Sequence, residues 1–147
     1  MRFSQAQVLK FAGLTKEALR HWKTALSPIA GRDARSADYT IGELLTLSAL
    51  AEANRNVGIS VSAIAPFAEQ LFKLVEEDLA AVRVPRPVAL TGAGIAQLER
   101  ESPLSQQSLF SMAAILVISF DQVCDRLWDE FGLPQRRQPT RQFELPV

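Results

Sequence analysis

Gly13-Leu14-Thr15 constrains this chain most, because it leaves room for only a tight turn between two short helical patterns. Upstream, Ser4-Gln5-Ala6-Gln7 is a capping box, with Ser4 as N-cap and Gln7 placed to return the hydrogen bond. It opens a helix through Phe11 with Val8 and Leu9 on the inner side. Gly13 closes that helix, since glycine adopts the left-handed C′ conformation without a Cβ penalty. Thr15 caps a second helix, Lys16 to about Ala25, which Pro28 ends. Two helices joined through a Gly-bearing turn have the layout of a helix-turn-helix.

The second helix has two distinct faces. Ala18, Leu19 and Trp22 form an inner stripe, and Trp22 reads as core rather than as a stacking platform. Lys16, Arg20 and Lys23 recur at i, i+4 and i+7 and share another face. Such a face is either a solvated charged surface or, directly after a Gly turn, a recognition surface. The segment 29–39 follows, with turn residues and the arginines Arg32 and Arg35, as a linker or a small β-hairpin wing. Thr40-Ile41-Gly42-Glu43 is a second capping box, opening a helix to about Asn56 with Ile41, Leu44, Leu45, Ser48 and Ala51 on one side. Ser60 caps a fourth helix expected to reach about Val82. Its apolar face is Ile64, Phe67, Ala68, Leu71, Leu74 and Val75, with Glu76, Glu77 and Asp78 outward.

Between 84 and 102 helical periodicity fails at Pro85 and Pro87. Val88 to Leu98 fits a hairpin around Gly92 and Gly94, or a loop followed by a helical turn. Thr91-Gly92-Ala93-Gly94 lacks the Lys-Ser/Thr ending of a phosphate loop and the third glycine of a dinucleotide fingerprint. Ser102-Pro103 is a helix start, and the helix expected from there to about Phe131 is apolar nearly all round, so it must be buried all round. A second subunit is the natural cover, which marks Leu109, Met112, Leu116, Phe120, Val123 and Leu127 as homodimer contacts; the alternative is the central helix of a monomeric bundle.

The zero formal charge of the 147-residue chain hides a segregation. Residues 1–40 carry seven basic and three acidic side chains, a net +4, and residues 41–134 carry six and twelve, a net −6. The tail 135–147 is net +2. An electropositive face can therefore exist on a neutral molecule. The single cysteine, Cys124, and single histidine, His21, exclude a Cys/His zinc site and an intrachain disulfide. Cys124 reads as a small buried apolar residue, with a redox or metal sensor across a dimer as the alternative. No secretory pattern opens the sequence, and its most apolar run, 109–120, is shorter than the ~20 residues of a membrane span. A cytoplasmic, nucleoid-associated protein is the expectation. No carboxylate pair, nucleophile–base couple, metal set or cofactor site assembles from these residues.

Residues 4–64, about two-fifths of the chain, resemble the N-terminal DNA-binding domain of MerR-type transcriptional regulators. Leu19-Arg20-His21-Trp22-Lys23 stands at the end of the recognition helix, Tyr39-Thr40 after the wing, and Gly58-Ile59-Ser60-Val61-Ser62-Ala63-Ile64 after the third helix. The chain departs from that pattern in His21, in Lys23 where an acidic residue is usual, and in a wing that keeps only Tyr39 of its aromatic-basic string. The resemblance implies a mainly α protein: a winged helix-turn-helix domain over 1–82, a helical dimerisation or effector region over 83–134 and a basic tail over 135–147. It implies double-stranded DNA as partner, bound as a homodimer on a pseudo-palindromic site through helix 15–25 and wing 29–39. Thr15, Lys16, Arg20, His21, Lys23, Arg32, Arg35 and Tyr39 are the candidate DNA contacts. An excisionase-like architectural DNA binder shares these features, and a protein-interaction adaptor or anti-activator is the alternative of another class. No effector is indicated.

Overall fold

A helix buried on every side sets the architecture. The computed structural model describes residues 1–32, 39–92, 94–98 and 115–132, with Ile115 described by its backbone alone. Within it α3, Ile41–Val57, is buried at every position from Gly42 to Ala51, not along one side only. Its N-terminus carries the expected Thr40/Glu43 capping box and its C-terminus ends at Gly58, at φ 75°. The buried hydroxyls of Thr46 and Ser48 donate to the carbonyls of Gly42 and Leu44, each at 2.7 Å, so this interior helix leaves neither group unpaired.

The other elements pack around this axis and form a mainly helical protein with a small antiparallel sheet. Helix α1, Gln5–Ala12, has the expected Ser4/Gln7 capping box and ends at Gly13, at φ 67°. Thr15 caps α2, Lys16–Ala25, and a 3-10 turn, Ser27–Ile29, follows it. The fourth helix is not continuous to Val82. Ser60 caps a short α4, Val61–Ile64, a 3-10 turn spans Ala65–Phe67, and α5 runs Ala68–Ala80. Pro66 accounts for the break, because it lacks an N–H and its ring opposes the preceding turn.

Beyond α5, the hairpin alternative for 84–102 is the one adopted: β1, Val88–Thr91, pairs antiparallel with β2, Gly94–Gln97. A third strand, β3, Ile115–Ile118, pairs on the other side of β1, with Leu90 opposite Leu116 and Val88 opposite Ile118. The helix expected over 103–131 is therefore not continuous: 115–118 is extended and Asp121–Phe131 is α6, while 103–114 lie outside the described residues. Ile115, Val117 and Ile118 are β-branched and suit a pleated surface, and pairing with β1 satisfies the backbone groups on that side of the strand. Val88, Leu90, Leu116 and Ile118 turn toward the core, whereas Val117 is 48% exposed on the opposite face.

Helix α6 returns to the start of the chain. Phe131 lies edge-on to Phe3 at 5.1 Å between ring centroids and 6.1 Å from Phe11. Arg126 sits 4.8 Å from the Phe11 ring centroid and pairs with Glu52 of α3 at 3.0 Å. One core cluster thus includes residues from Phe3 to Leu127 and crosses the boundary expected at 82/83. Among the described residues no helix is long and apolar enough to cross a membrane.

Asp78, expected on the outer side of its helix, is fully buried and ties α5 to the sheet. It accepts from Arg83 Nε at 2.8 Å, from the Arg86 backbone N–H at 2.9 Å and guanidinium at 3.1 and 3.2 Å, and from Gln97 Nε2 at 3.1 Å. Burial alone would push its carboxyl up, but the hydrogen bonds and charge of Arg86, with Arg83, hold it below the usual range. A lowered folded value adds stability above the unfolded carboxylate range, and that stability is lost as pH falls through the folded value. Asp78→Asn is expected to cost about 3 kcal/mol in urea unfolding at neutral pH, the scale for breaking a buried charge pair. The deficit should shrink in acid; a deficit unchanged by pH would show that charge is not what Asp78 contributes.

Candidate nucleic-acid interface

The turn before α2 is held by local geometry and by one distant side chain. Gly13 sits in the left-handed region, and Arg55, from the last turn of α3, donates Nη1 to the carbonyls of Ala12 and Gly13 at 3.0 and 3.4 Å. The start of α2 is thereby referenced to the buried axis. Leu19 and Trp22 are buried, as the inner stripe requires, and Leu26 continues that anchor.

The eight expected DNA contacts fall into three groups. Thr15, Lys16, Arg20 and His21 are all exposed at or on α2. Thr15 Oγ1 also accepts the Ala18 N–H at 3.1 Å, so it caps the helix while lying at its open N-terminal end. Lys16 and Arg20 stand one turn apart on a helix whose opposite stripe is locked in the core. Such an arrangement presents two cations at fixed separation, with the helix N-terminus adding partial positive charge.

Lys23, Arg32 and Tyr39 form the second group, and they point inward. Lys23 is half-buried and donates Nζ to Gln5 Oε1 at 2.7 Å and to the Arg32 carbonyl at 3.1 Å. Arg32 pairs with Glu43 of α3 and lies 5.8 Å from the Tyr39 ring centroid. Tyr39 is fully buried, so its ring does not reach a groove in this conformation. Its backbone exchanges two hydrogen bonds with Phe3, at 2.9 and 3.1 Å, in an isolated antiparallel bridge. Burial pushes its phenol above the usual value, against the pull of Arg32, and among the described residues the hydroxyl has no hydrogen-bond partner. Within the expected wing the described residues show the end of the 3-10 turn and this bridge to Phe3, with no hairpin strand. Arg35, the third group, lies outside the described residues.

The expected dimer contacts are placed as follows. Phe120, Val123 and Leu127 are fully buried against the chain's own core, and Leu116 pairs with Leu90 inside the sheet. The division of the described segment into strand and helix lets the same chain cover Phe120, Val123 and Leu127. Leu109 and Met112 lie outside the described residues. Cys124 is buried, as its apolar neighbours suggested.

Sequence patterns did not single out Arg55, Gln5 or Glu43 as parts of this region. Glu43 showed only its capping signal, and nothing local reveals that it faces Arg32 and Glu76. In the structure its carboxylate accepts the Thr40 N–H at 3.0 Å, while Thr40 Oγ1 donates to Glu76. Burial pushes the Glu43 carboxyl above the usual range; Thr40 and Arg32 pull it down, Glu76 pushes it up and Arg2 pulls it down. Comparison with protein-family models, curated proteins and solved structures finds no match to this chain.

Gly13→Ala separates the two supports of the turn. A Cβ there would lie 2.7 Å from Arg55 Nη1 at φ 67°, whereas one at Gly58, at φ 75°, meets nothing within 4 Å. Each alanine should cost about 1–2 kcal/mol for the left-handed backbone. Gly13→Ala is expected to lower the midpoint of thermal unfolding further than Gly58→Ala; equal losses would mean that Arg55 adds nothing at the turn.

Proposed function

We propose that this protein is a DNA-binding regulator that presents α2 to the major groove of a specific duplex site. The observation that carries the proposal is the exposed Lys16–Arg20–His21 surface on a capped helix whose other stripe, Leu19 and Trp22, is immobilised in the core. Rigid presentation matters because base-edge recognition needs a side chain held at fixed depth and register. Arg20 is the base-reading side chain, Lys16 a phosphate contact, and the α2 N-terminus with Thr15 a second phosphate contact. Lys23 and Arg32 have first a structural role, holding α1, α2 and α3 together.

The adaptor alternative has less behind it than the sequence suggested. Of its supports, the zero net charge and the acidic middle stand, while the described part of the segment expected as a very apolar last helix is a strand and a helix packed into the chain's own core. Two-fold binding through that seam loses the same support, so the proposal is framed for one α2 on one site.

Fluorescence anisotropy with the DNA upstream of the coding sequence and a shuffled duplex, over a salt series, tests the proposal. Arg20→Ala should lose about 1–3 kcal/mol of binding and most of the preference between the duplexes. Lys16→Ala should weaken both duplexes alike and lower the salt slope by about one. Negligible binding to either duplex at low salt, by a protein whose unfolding is unaltered, would remove the DNA-reading assignment.

A further inference from the structure

Two basic side chains of the expected DNA-binding set are held inward, and both lead to Glu43. This carboxylate belongs to the first turn of α3 and is only 7% exposed. Four elements face it: Arg32 after the 3-10 turn, Thr40 at the α3 N-cap, Glu76 of α5, and Arg2 beside the Phe3–Tyr39 bridge. The Tyr39 ring lies under the Arg32 guanidinium. The Arg32 carbonyl in turn accepts from Lys23 Nζ, which links the ion pair to α2 and, through Gln5, to α1.

We propose that Glu43 is an acid-sensitive latch that holds the Arg32 guanidinium away from DNA, so that proton uptake at Glu43 strengthens DNA binding. The inference rests on the DNA-binding role proposed above and concerns the regulation of that site. When Glu43 takes a proton from solvent, its carbonyl oxygen still caps the Thr40 N–H, so α3 keeps its first turn. What disappears is the full negative charge opposite Arg32, together with the repulsion from Glu76. The Arg32 side chain is 27% exposed and has a short path to water. The buried contacts of α3 do not depend on that charge, so the expected change is a shift of the Arg32 side chain rather than unfolding. Burial, with Glu76, raises the Glu43 carboxyl above its ordinary range against the pull of Thr40, Arg32 and Arg2.

His21 is exposed on α2 and is itself an ionisable candidate DNA contact. The test is therefore made in full-length His21→Gln protein, with and without Glu43→Gln. Glutamine keeps the cap and lacks the charge, so it stands for the protonated latch. Because a raised folded value means that the charged form costs stability above it, Glu43→Gln should not lower the unfolding midpoint at neutral pH.

Two readouts are followed from about pH 7.5 to about pH 5: anisotropy on the duplex, and NMR of the Glu43 carboxyl and Arg32 guanidinium without DNA. Affinity in His21→Gln is expected to rise a few-fold as pH falls. In the double variant it should start at the high value and stay flat. The Arg32 resonances should move with the Glu43 titration and already be shifted in Glu43→Gln. If Glu43 titrates in the ordinary range, or Arg32 ignores its titration, the latch is wrong whatever the DNA does. If the NMR behaves as expected and neither these variants nor the unsubstituted protein binds the duplex at any pH, the DNA-binding reading fails, and the regulatory role fails with it.

Discussion

The burial of α3 on all sides is the constraint on which the rest of the molecule depends. A helix with ten consecutive buried positions cannot be covered by one neighbour, so α1, α5, α6 and the β3 strand must all be brought to it. Small residues on the helix, Gly42, Ser48, Ala49 and Ala51, let those neighbours approach. Its two buried hydroxyls bond back to the helix's own carbonyls, so close packing leaves no orphaned polar group at these positions. The exposed face of α2 follows from this arrangement, because the turn before it is tied to α3 through Arg55 and its inner stripe joins the same core.

Two buried carboxylates attach the periphery to this axis, and their surroundings give them opposite characters. Asp78 receives hydrogen bonds from two guanidinium groups, a backbone N–H and an amide, which outweigh its desolvation. It is a fixed charge that joins α5 to the strand hairpin. Glu43 meets one close guanidinium and a backbone N–H, but it also meets the Glu76 carboxylate, and desolvation prevails. Similar burial thus produces a lock in one place and a poised group in the other, decided by the number of donors and the presence of a second anion.

Legibility followed the range of the interactions. Ser4, Thr15, Thr40 and Ser60 were recognisable as N-caps, and Gly13 and Gly58 as helix ends, because each acts on backbone groups within a few residues. The break at Pro66 was available locally but was overridden by an apolar face running unbroken from Ile64 to Val75. Ile115–Ile118 was misread because a short run apolar on all sides looks the same in a buried helix and a sheet strand. Only its pairing with β1 distinguishes them, and β1 lies more than twenty residues away in sequence. The basic i, i+4, i+7 pattern on α2 was likewise legible as a pattern, but its members were not equivalent. Lys16 and Arg20 face solvent, while Lys23 has Gln5 and the Arg32 carbonyl beside it.

The sequence by itself determined where the N-terminal helices begin and end, the tight turn before α2, and the division of α2 into an apolar and a basic stripe. Those features are set by caps, glycines and periodicity, whose free energies are local. Tertiary structure alone decided which helix became the buried axis, which of the described basic side chains were left in solvent, and that Phe120, Val123 and Leu127 joined the chain's own core. These outcomes depend on pairings between residues distant in the chain, such as Arg32 with Glu43, Leu116 with Leu90 and Phe131 with Phe3. A local pattern can supply the candidates for such contacts, but it does not choose their partners.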